Sequence, residues 1–93
     1  MVVGVATITL YINGSQTLKD KRRVIKSLLT RLHNRFNVAA AEVGRQDSRQ
    51  EAEIGVACIS TEGSHADQIL AAVVDFIEAQ GDVHLIEYHT QLL

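Results

Sequence analysis

The residues whose types and spacing could support chemistry form one basic cluster in the first half of the chain. Nine Lys and Arg residues lie between positions 19 and 49, where three acids oppose them, whereas residues 50–93 carry eight acids and no Lys or Arg. Ammonium and guanidinium groups on one surface neutralise phosphates and release counterions. The predicted phosphate contacts are Lys19, Lys21, Arg22, Arg23 and Lys26, together with Arg45 and Arg49 in a later polar loop.

The charge asymmetry between the two halves does not by itself require an anionic partner. The basic cluster also fits a solvated helix face, or one of two oppositely charged halves that attract each other within or between subunits. The sequence alone leaves these alternatives open.

Metal and acid–base chemistry find less support in the sequence. His84 and His89 are five residues apart in a predicted strand, so they point to opposite faces unless a bulge intervenes. The single cysteine, Cys58, excludes an internal disulfide and a multi-cysteine cluster. Glu42 and Glu53 lie on neighbouring predicted strands, where carboxylates more often keep a strand face soluble than act as acid and base. We therefore predict no metal, no cofactor and no catalytic residue.

Two known phosphate-binding designs match the chain incompletely. Residues 14–17, with Arg22 one turn later, weakly resemble the acylphosphatase-like cradle, in which backbone amides and an arginine bind a phosphate. The predicted third strand lacks the asparagine that would position the attacking water, since residues 54–60 contain none. RNA-recognition domains stack bases on aromatic residues of their central strands. Phe36 and Phe76 fall on predicted helix core faces instead, so any RNA binding should depend on shape and phosphate.

One amphipathic helix, predicted over residues 17–36, carries most of the basic cluster. Thr17 should cap its start, with Asp20 in the capping-box position three residues later. At 100° per residue its apolar positions share one arc. They are Leu18, Val24, Ile25, Leu28, Leu29, Leu32 and Phe36.

The remaining elements complete a βαββαβ order. Alternation and turn residues predict strands over 2–12, 38–43, 51–60 and 83–93, and a second helix that begins at a Ser64 cap and ends at Gly81. In the last strand the apolar residues change faces after Leu85, which a bulge or an interface on the second face would explain. Right-handed crossovers then give a single α+β domain over 1–93, a ferredoxin-like sandwich with sheet order 4-1-3-2 and both helices on one side.

The sheet face away from the helices is predicted to remain open. On the first strand this face carries Val3, Val5, Thr7 and Tyr11. These residues are more apolar than is usual for a strand face exposed to solvent. A domain of this size buries only about two-thirds of its unfolded surface, so a partner subunit would add stability. We predict a homodimer that forms through this face, with these four residues at the interface, or through edge strands.

Three segments resemble the YlxP-like bacterial family, a small domain of unknown function with a ferredoxin-like fold. They are Leu18–Arg23, Asn34–Val38 and Glu42–Asp47, and the similarity extends over nearly the whole chain. Family members commonly carry Leu-Trp after the aspartate, where this chain has Ser48 and Arg49. The resemblance implies a bacterial cytoplasmic protein, often encoded near ribosome-maturation and initiation factors, without an established activity.

The overall composition favours a cytoplasmic protein. No apolar run approaches the ~20 residues that a membrane span needs, and the N-terminus lacks the order of a signal peptide. Our leading interpretation is a non-enzymatic accessory protein that binds RNA or the ribosome through its basic helix face. The alternative is a homodimeric protein-interaction or regulatory module with no role in nucleic-acid binding.

Overall fold

The computed structural model describes residues 1–93 and has the predicted order of elements. These are strand β1 (Val2–Ile12), helix α1 (Leu18–Arg35), strand β2 (Ala39–Gly44), strand β3 (Glu51–Ser60), helix α2 (Gly63–Glu78) and strand β4 (Val83–Leu92). The strands form one antiparallel sheet in the order β2-β3-β1-β4. The predicted ferredoxin-like architecture is confirmed.

One hydrophobic core lies between the helices and one face of the sheet. Alternate residues of β1 and β3 are buried because a strand points successive side chains to opposite faces. The largest buried apolar side chains are Ile8, Leu10, Ile12, Ile54, Leu28, Leu32, Leu70, Val73 and Ile77. Neither helix combines the length and apolarity needed to cross a bilayer.

Helix α2 packs closely on the sheet at Gly4. A β-carbon placed on Gly4 would lie 3.1 Å from Leu70 Cδ1, and 3.2 Å from both Ala66 Cβ and Cys58 Sγ. Contacts this short force neighbouring atoms to move. A residue without a side chain therefore sets the distance between α2 and the centre of the sheet.

The start of α1 is capped as predicted. Thr17 Oγ1 accepts a hydrogen bond from the Asp20 amide at 3.0 Å, and Asp20 Oδ2 accepts one from the Gln16 amide at 3.3 Å. The helix ends at Arg35, and Phe36 takes the extended C-cap conformation with φ −126°. The prediction of its end was thus one residue too long.

The predicted Ser64 cap of α2 is wrong. The helix begins at Gly63, and its N-cap residue, Glu62, makes no side-chain capping hydrogen bond. Ser60 Oγ instead accepts a hydrogen bond from the Glu62 amide at 3.2 Å. This bond lies at the bend of residues 61–62, directly before the helix.

Strand β4 contains a bulge, one of the two explanations that its sequence left open. Thr9 pairs with Glu87, whereas Leu10 pairs with Leu85, so Ile86 is an extra residue in β4. An extra residue reverses the alternation of the side chains that follow it. His84 and His89, opposite Tyr11 and Thr7, consequently share the open sheet face. No three His, Cys, Asp or Glu residues form a group suited to a metal ion.

Candidate nucleic-acid interface

Four basic residues line the outer side of α1. Lys19, Arg22, Arg23 and Lys26 are all exposed, and none belongs to any of the three ion pairs in the structure. Their spacing of three and four residues places them within an arc of about 100°, with neighbouring β-carbons about 5–6 Å apart. They form a continuous strip of positive charge opposite the core.

The β2–β3 loop, residues 45–50, packs against the start of α1 through Lys21. The Lys21 ammonium donates hydrogen bonds to Arg45 O at 2.8 Å, Glu51 O at 3.1 Å and Gln46 O at 3.5 Å. It also lies 3.2 Å from Glu42 Oε2. One buried cation therefore holds both ends of the loop and the strand that precedes it.

Ser15 makes a second attachment of the same loop. Its side chain is buried and its Oγ donates a hydrogen bond to Arg49 O at 2.6 Å. The Ile12 amide donates to Gln50 O at 2.6 Å. The backbone of exposed Arg49 is thus fixed beside the turn that leads into α1. We define the basic surface as Lys19, Arg22, Arg23, Lys26 and Arg49.

Lys21 does not belong to the basic surface, which corrects the sequence prediction. It is 1% exposed, so its charge is inside the protein. A signal in the sequence marks this position. Lys21 precedes Ile25, Leu28 and Leu32 at intervals of four, three and four residues, which places it on the buried stripe of the helix.

Glu42 and Glu53 do not form an acid–base pair. Glu42 lies on the helix side of the sheet, where its Oε2 is buried, accepts no hydrogen bond and is balanced by the Lys21 ion pair alone. Glu53 pairs with Thr9 on the opposite face. The sheet separates the two carboxylates, so they cannot act on one substrate atom.

Three other arginines have partners within the chain. Arg45 pairs with Glu51 at 3.0 Å, Arg31 pairs with Asp82 at 3.0 Å, and Arg35 lies 5.3 Å from the centre of the Phe76 ring. The Arg45 and Glu51 side chains are 48% and 38% exposed. An exposed pair of this kind contributes at most about 1 kcal/mol. A phosphate can therefore compete for Arg45, which sits at the loop with a left-handed φ of 57°.

The N-terminus of α1 is occupied by the protein's own carboxylate. Hydrogen bonds from the Gln16 amide and from Thr17 hold the pKa of Asp20 below its ordinary value of 3.8, and the nearby Arg23 charge adds to this effect. The preceding amides are also engaged, with Asn13 N donating to Asp82 O and Ser15 N to Ile12 O. Two of the four amides predicted for an acylphosphatase-like cradle, those of Ser15 and Gln16, are therefore already bound within the protein.

The residues predicted for a dimer interface lie on the open sheet face. Val3 and Val5 are half-buried, and Thr7 and Tyr11 are exposed. Small residues of β2 and β3 continue this face and leave a groove of about 400 Å³. Its lining includes Thr7, Ala39, Ala41, Gly55 and Ala57.

Comparison with known proteins identifies the family without supplying a substrate or a partner. A family model described as a protein of unknown function, DUF503, matches residues 3–90. The chain is also similar to "Uncharacterized protein YlxP" of Bacillus subtilis (strain 168), with 36% identity over 78 residues that cover 84% of this chain and 85% of the relative. The predicted YlxP-like resemblance is confirmed. The chain therefore belongs to the DUF503 family of proteins of unknown function.

Proposed function

We propose that this protein is a cytoplasmic, non-enzymatic accessory protein that binds RNA, either free or within the ribosome, through the phosphates that face its basic surface. The observation that carries the proposal is the free positive charge of this surface. Its five side chains are exposed and none forms an ion pair within 4 Å, although Arg23 lies near Asp20 and the chain as a whole has a net charge of −2. The chain has 11 acidic residues, enough to pair with every cation of the basic surface. If these cations served only internal ion pairs, we would expect such pairs in the structure.

The surrounding residues favour recognition of the RNA backbone over recognition of bases. No aromatic residue belongs to the basic surface. Tyr11 and Tyr88 lie in strands β1 and β4, and Phe36 and Phe76 pack edge to face with ring centres 5.7 Å apart. Sequence-specific reading of single strands uses aromatic stacking. The proposed binding is therefore sensitive to salt and tolerant of sequence.

The proposal is tested by removing three charges from α1. The variant Arg22→Gln, Arg23→Gln, Lys26→Gln is compared with wild type for binding to a labelled RNA duplex of about 16 base pairs, the length that one shape-reading domain spans. Three phosphate contacts give a salt slope near −2.7, or about a 40-fold loss of affinity between about 50 and 200 mM salt. We expect the variant to bind RNA more weakly than wild type and to lose this part of the salt dependence.

A control with the same net charge separates a local site from general electrostatics. Gln68, Ala71 and Ala72 are exposed on α2, and changing all three to Glu also lowers the net charge by three. We expect this control to bind RNA nearly as well as wild type. Equal weakening in both variants, or no binding by wild type at low salt, would refute the proposed site.

The alternative function, a protein-interaction module without a nucleic-acid role, differs in its response to salt. Polyanion binding weakens steeply as salt rises, whereas an association that buries apolar surface persists. Size-exclusion chromatography at two salt concentrations, with the absorbance ratio recorded for copurifying nucleic acid, distinguishes them. A protein free of nucleic acid at both salt concentrations would favour the alternative.

A further inference from the structure

One half of the open sheet face forms an apolar trough. The groove described above and a second hollow of about 400 Å³ share Ala39 and Ala57 in their walls, and we call the two together the trough. Ile59 and Val43 project from its sides, with 67% and 55% of their surfaces exposed. A β-carbon placed on Gly55 would lie 3.0 Å from Val43 Cγ1, so Val43 fills the space above this glycine. The free space of the trough therefore lies around Ala57, between Ile59 and Val43.

The other half of the same face carries negative charge that the chain does not neutralise. Glu53 and Glu87 flank Thr9 from β3 and β4, and neither forms an ion pair within 4 Å. The four strands contain no Lys or Arg. Arg45, in the loop next to this half, is already paired with Glu51. The open face thus combines an apolar half with an acidic half.

We propose that this face binds an amphipathic helix of a partner protein, with apolar side chains in the trough and Lys or Arg residues at Glu53 and Glu87. Ala57 and Glu53 are four residues apart on β3, or about 13 Å, which a helix covers in eight or nine residues. Glu53 and Glu87 lie on either side of β1, about 10 Å apart, close to the diameter of a helix. A helix that runs from above Ala57 to above Thr9 therefore reaches both acids from its two flanks.

The charge of the face favours this partner over the others that an apolar trough could accept. Nucleic acid and an anionic membrane surface are repelled by the two carboxylates. A second copy that presented the same face would bring no Lys or Arg, so the acids of both copies would stay unpaired. The predicted homodimer can form through edge strands, which leaves this face free. A basic amphipathic helix matches both halves of the face.

The proposed partner and RNA do not compete for the same surface. The basic surface lies on the outer side of α1, and the sheet separates it from the open face. Both surfaces can therefore be occupied at once. The inference adds a protein partner to the proposed function and does not rest on RNA binding.

Fluorescence anisotropy of a labelled helical peptide tests the proposal with RNA-free protein. A peptide of about 18 residues is about 27 Å long as a helix, and the open face from Val3 to Tyr11 spans about 26 Å. The probe carries Leu along one stripe and Lys on both flanks of its last two turns. At about pH 8 histidine side chains are ordinarily neutral, so His84 and His89 beside Glu87 do not alter the charge of the face. We expect this peptide to bind wild type at low salt, and the same peptide with Glu in place of Lys to bind at least about tenfold more weakly.

Changes in each half of the face separate the two kinds of contact. Glu53→Gln with Glu87→Gln should weaken peptide binding about tenfold, the effect of losing two exposed ion pairs. Ala57→Leu fills the trough without changing the charge and should weaken binding at least about tenfold, because an apolar side chain of the peptide is excluded. The matched controls change exposed residues of α2 in the same ways and should bind the peptide like wild type: Asp75→Asn with Glu78→Gln, and Ala71→Leu.

Several outcomes would overturn the proposal. They are no peptide binding by wild type, and equal weakening by the face variants and their α2 controls when circular dichroism shows all of them folded. Sedimentation equilibrium without peptide adds a further check, since wild type and Ala57→Leu should have the same mass. A dimeric wild type that becomes monomeric in Ala57→Leu would show that a second copy occupies this face, which would also overturn it.

The RNA-binding variant described above makes the two proposals separable. Arg22→Gln, Arg23→Gln, Lys26→Gln should bind the peptide at least as well as wild type, because its changes lie on the other side of the molecule. Loss of RNA binding with peptide binding retained, or the reverse, therefore shows which of the two has failed.

Discussion

Replacing Lys21 by Met is expected to destabilise the protein while preserving most of the side-chain volume. The change removes the donor for three backbone carbonyls and leaves Glu42 Oε2 without its ion-pair partner. Deleting one member of a buried pair costs about 3–5 kcal/mol. The Glu42 side chain is 18% exposed, which favours the lower end of that range.

We therefore expect a loss of about 3 kcal/mol from a total unfolding free energy of about 5–14 kcal/mol for a chain of this length. Each 1 kcal/mol lowers the melting temperature by about 4–8 °C in a domain of this size. Chemical denaturation followed by circular dichroism measures the free energy. Lys26→Met is the matched control, because Lys26 is an exposed lysine of the same helix and its loss should change stability by less than about 0.5 kcal/mol.

The double variant Lys21→Met, Glu42→Gln identifies the cause of the loss. If an unpaired buried charge is responsible, neutralising Glu42 should recover about 1 kcal/mol or more, within the coupling energies measured for contacting residues. Equal stability of Lys21→Met and Lys26→Met would refute a structural role for the buried ammonium. Absence of any recovery in the double variant would refute the role of the ion pair.

Two further predictions concern the start of α1 and the packing of α2. Because the pKa of Asp20 is lowered by folding, its carboxylate stabilises the protein fully above the ordinary value of 3.8, and this contribution is lost as the pH falls through the folded-state pKa. Asp20→Asn should therefore be less stable than wild type at neutral pH and equally stable in strong acid; a pH-independent difference in denaturation midpoints would contradict this. Gly4→Ala should cost about 1–3 kcal/mol by crowding Leu70, whereas Gly81→Ala, with no atom within 4 Å of the added carbon, should be nearly neutral. Equal unfolding free energies for the two alanine variants would show that α2 can shift without cost.

The fold was predictable because local signals agree with one another. The two unlike faces of β1, the alternation of β3, the stripe of α1 and the Thr17 cap each specify one face or one boundary without reference to distant residues. The start of α2 was missed because Ser64 is a favourable capping residue, whereas the actual N-cap residue, Glu62, makes no side-chain capping hydrogen bond and so leaves no local signal.

The candidate site was harder to predict because its central contact joins residues that are far apart in sequence. We predicted Lys21 to be on the surface because of its charge. Its spacing from Ile25 instead indicated the buried stripe of the helix. The carbonyls that make its burial tolerable come from Arg45, Gln46 and Glu51, which are 24–30 residues away. No local sequence pattern predicts such partners. The position of Arg49 beside the helix depends on the same long-range docking of the loop.

The docked loop means that the geometry of the basic surface exists before any ligand arrives. Fixing a flexible backbone costs roughly 1–2 kcal/mol per residue, and residues 45–50 meet that cost when the chain folds rather than at the moment of association. Because the loop is already ordered, the contacts that hold it against α1 also affect the affinity for a polyanion. Releasing the loop by a change at Lys21 or Ser15 should therefore weaken polyanion binding even though all five surface cations remain in place.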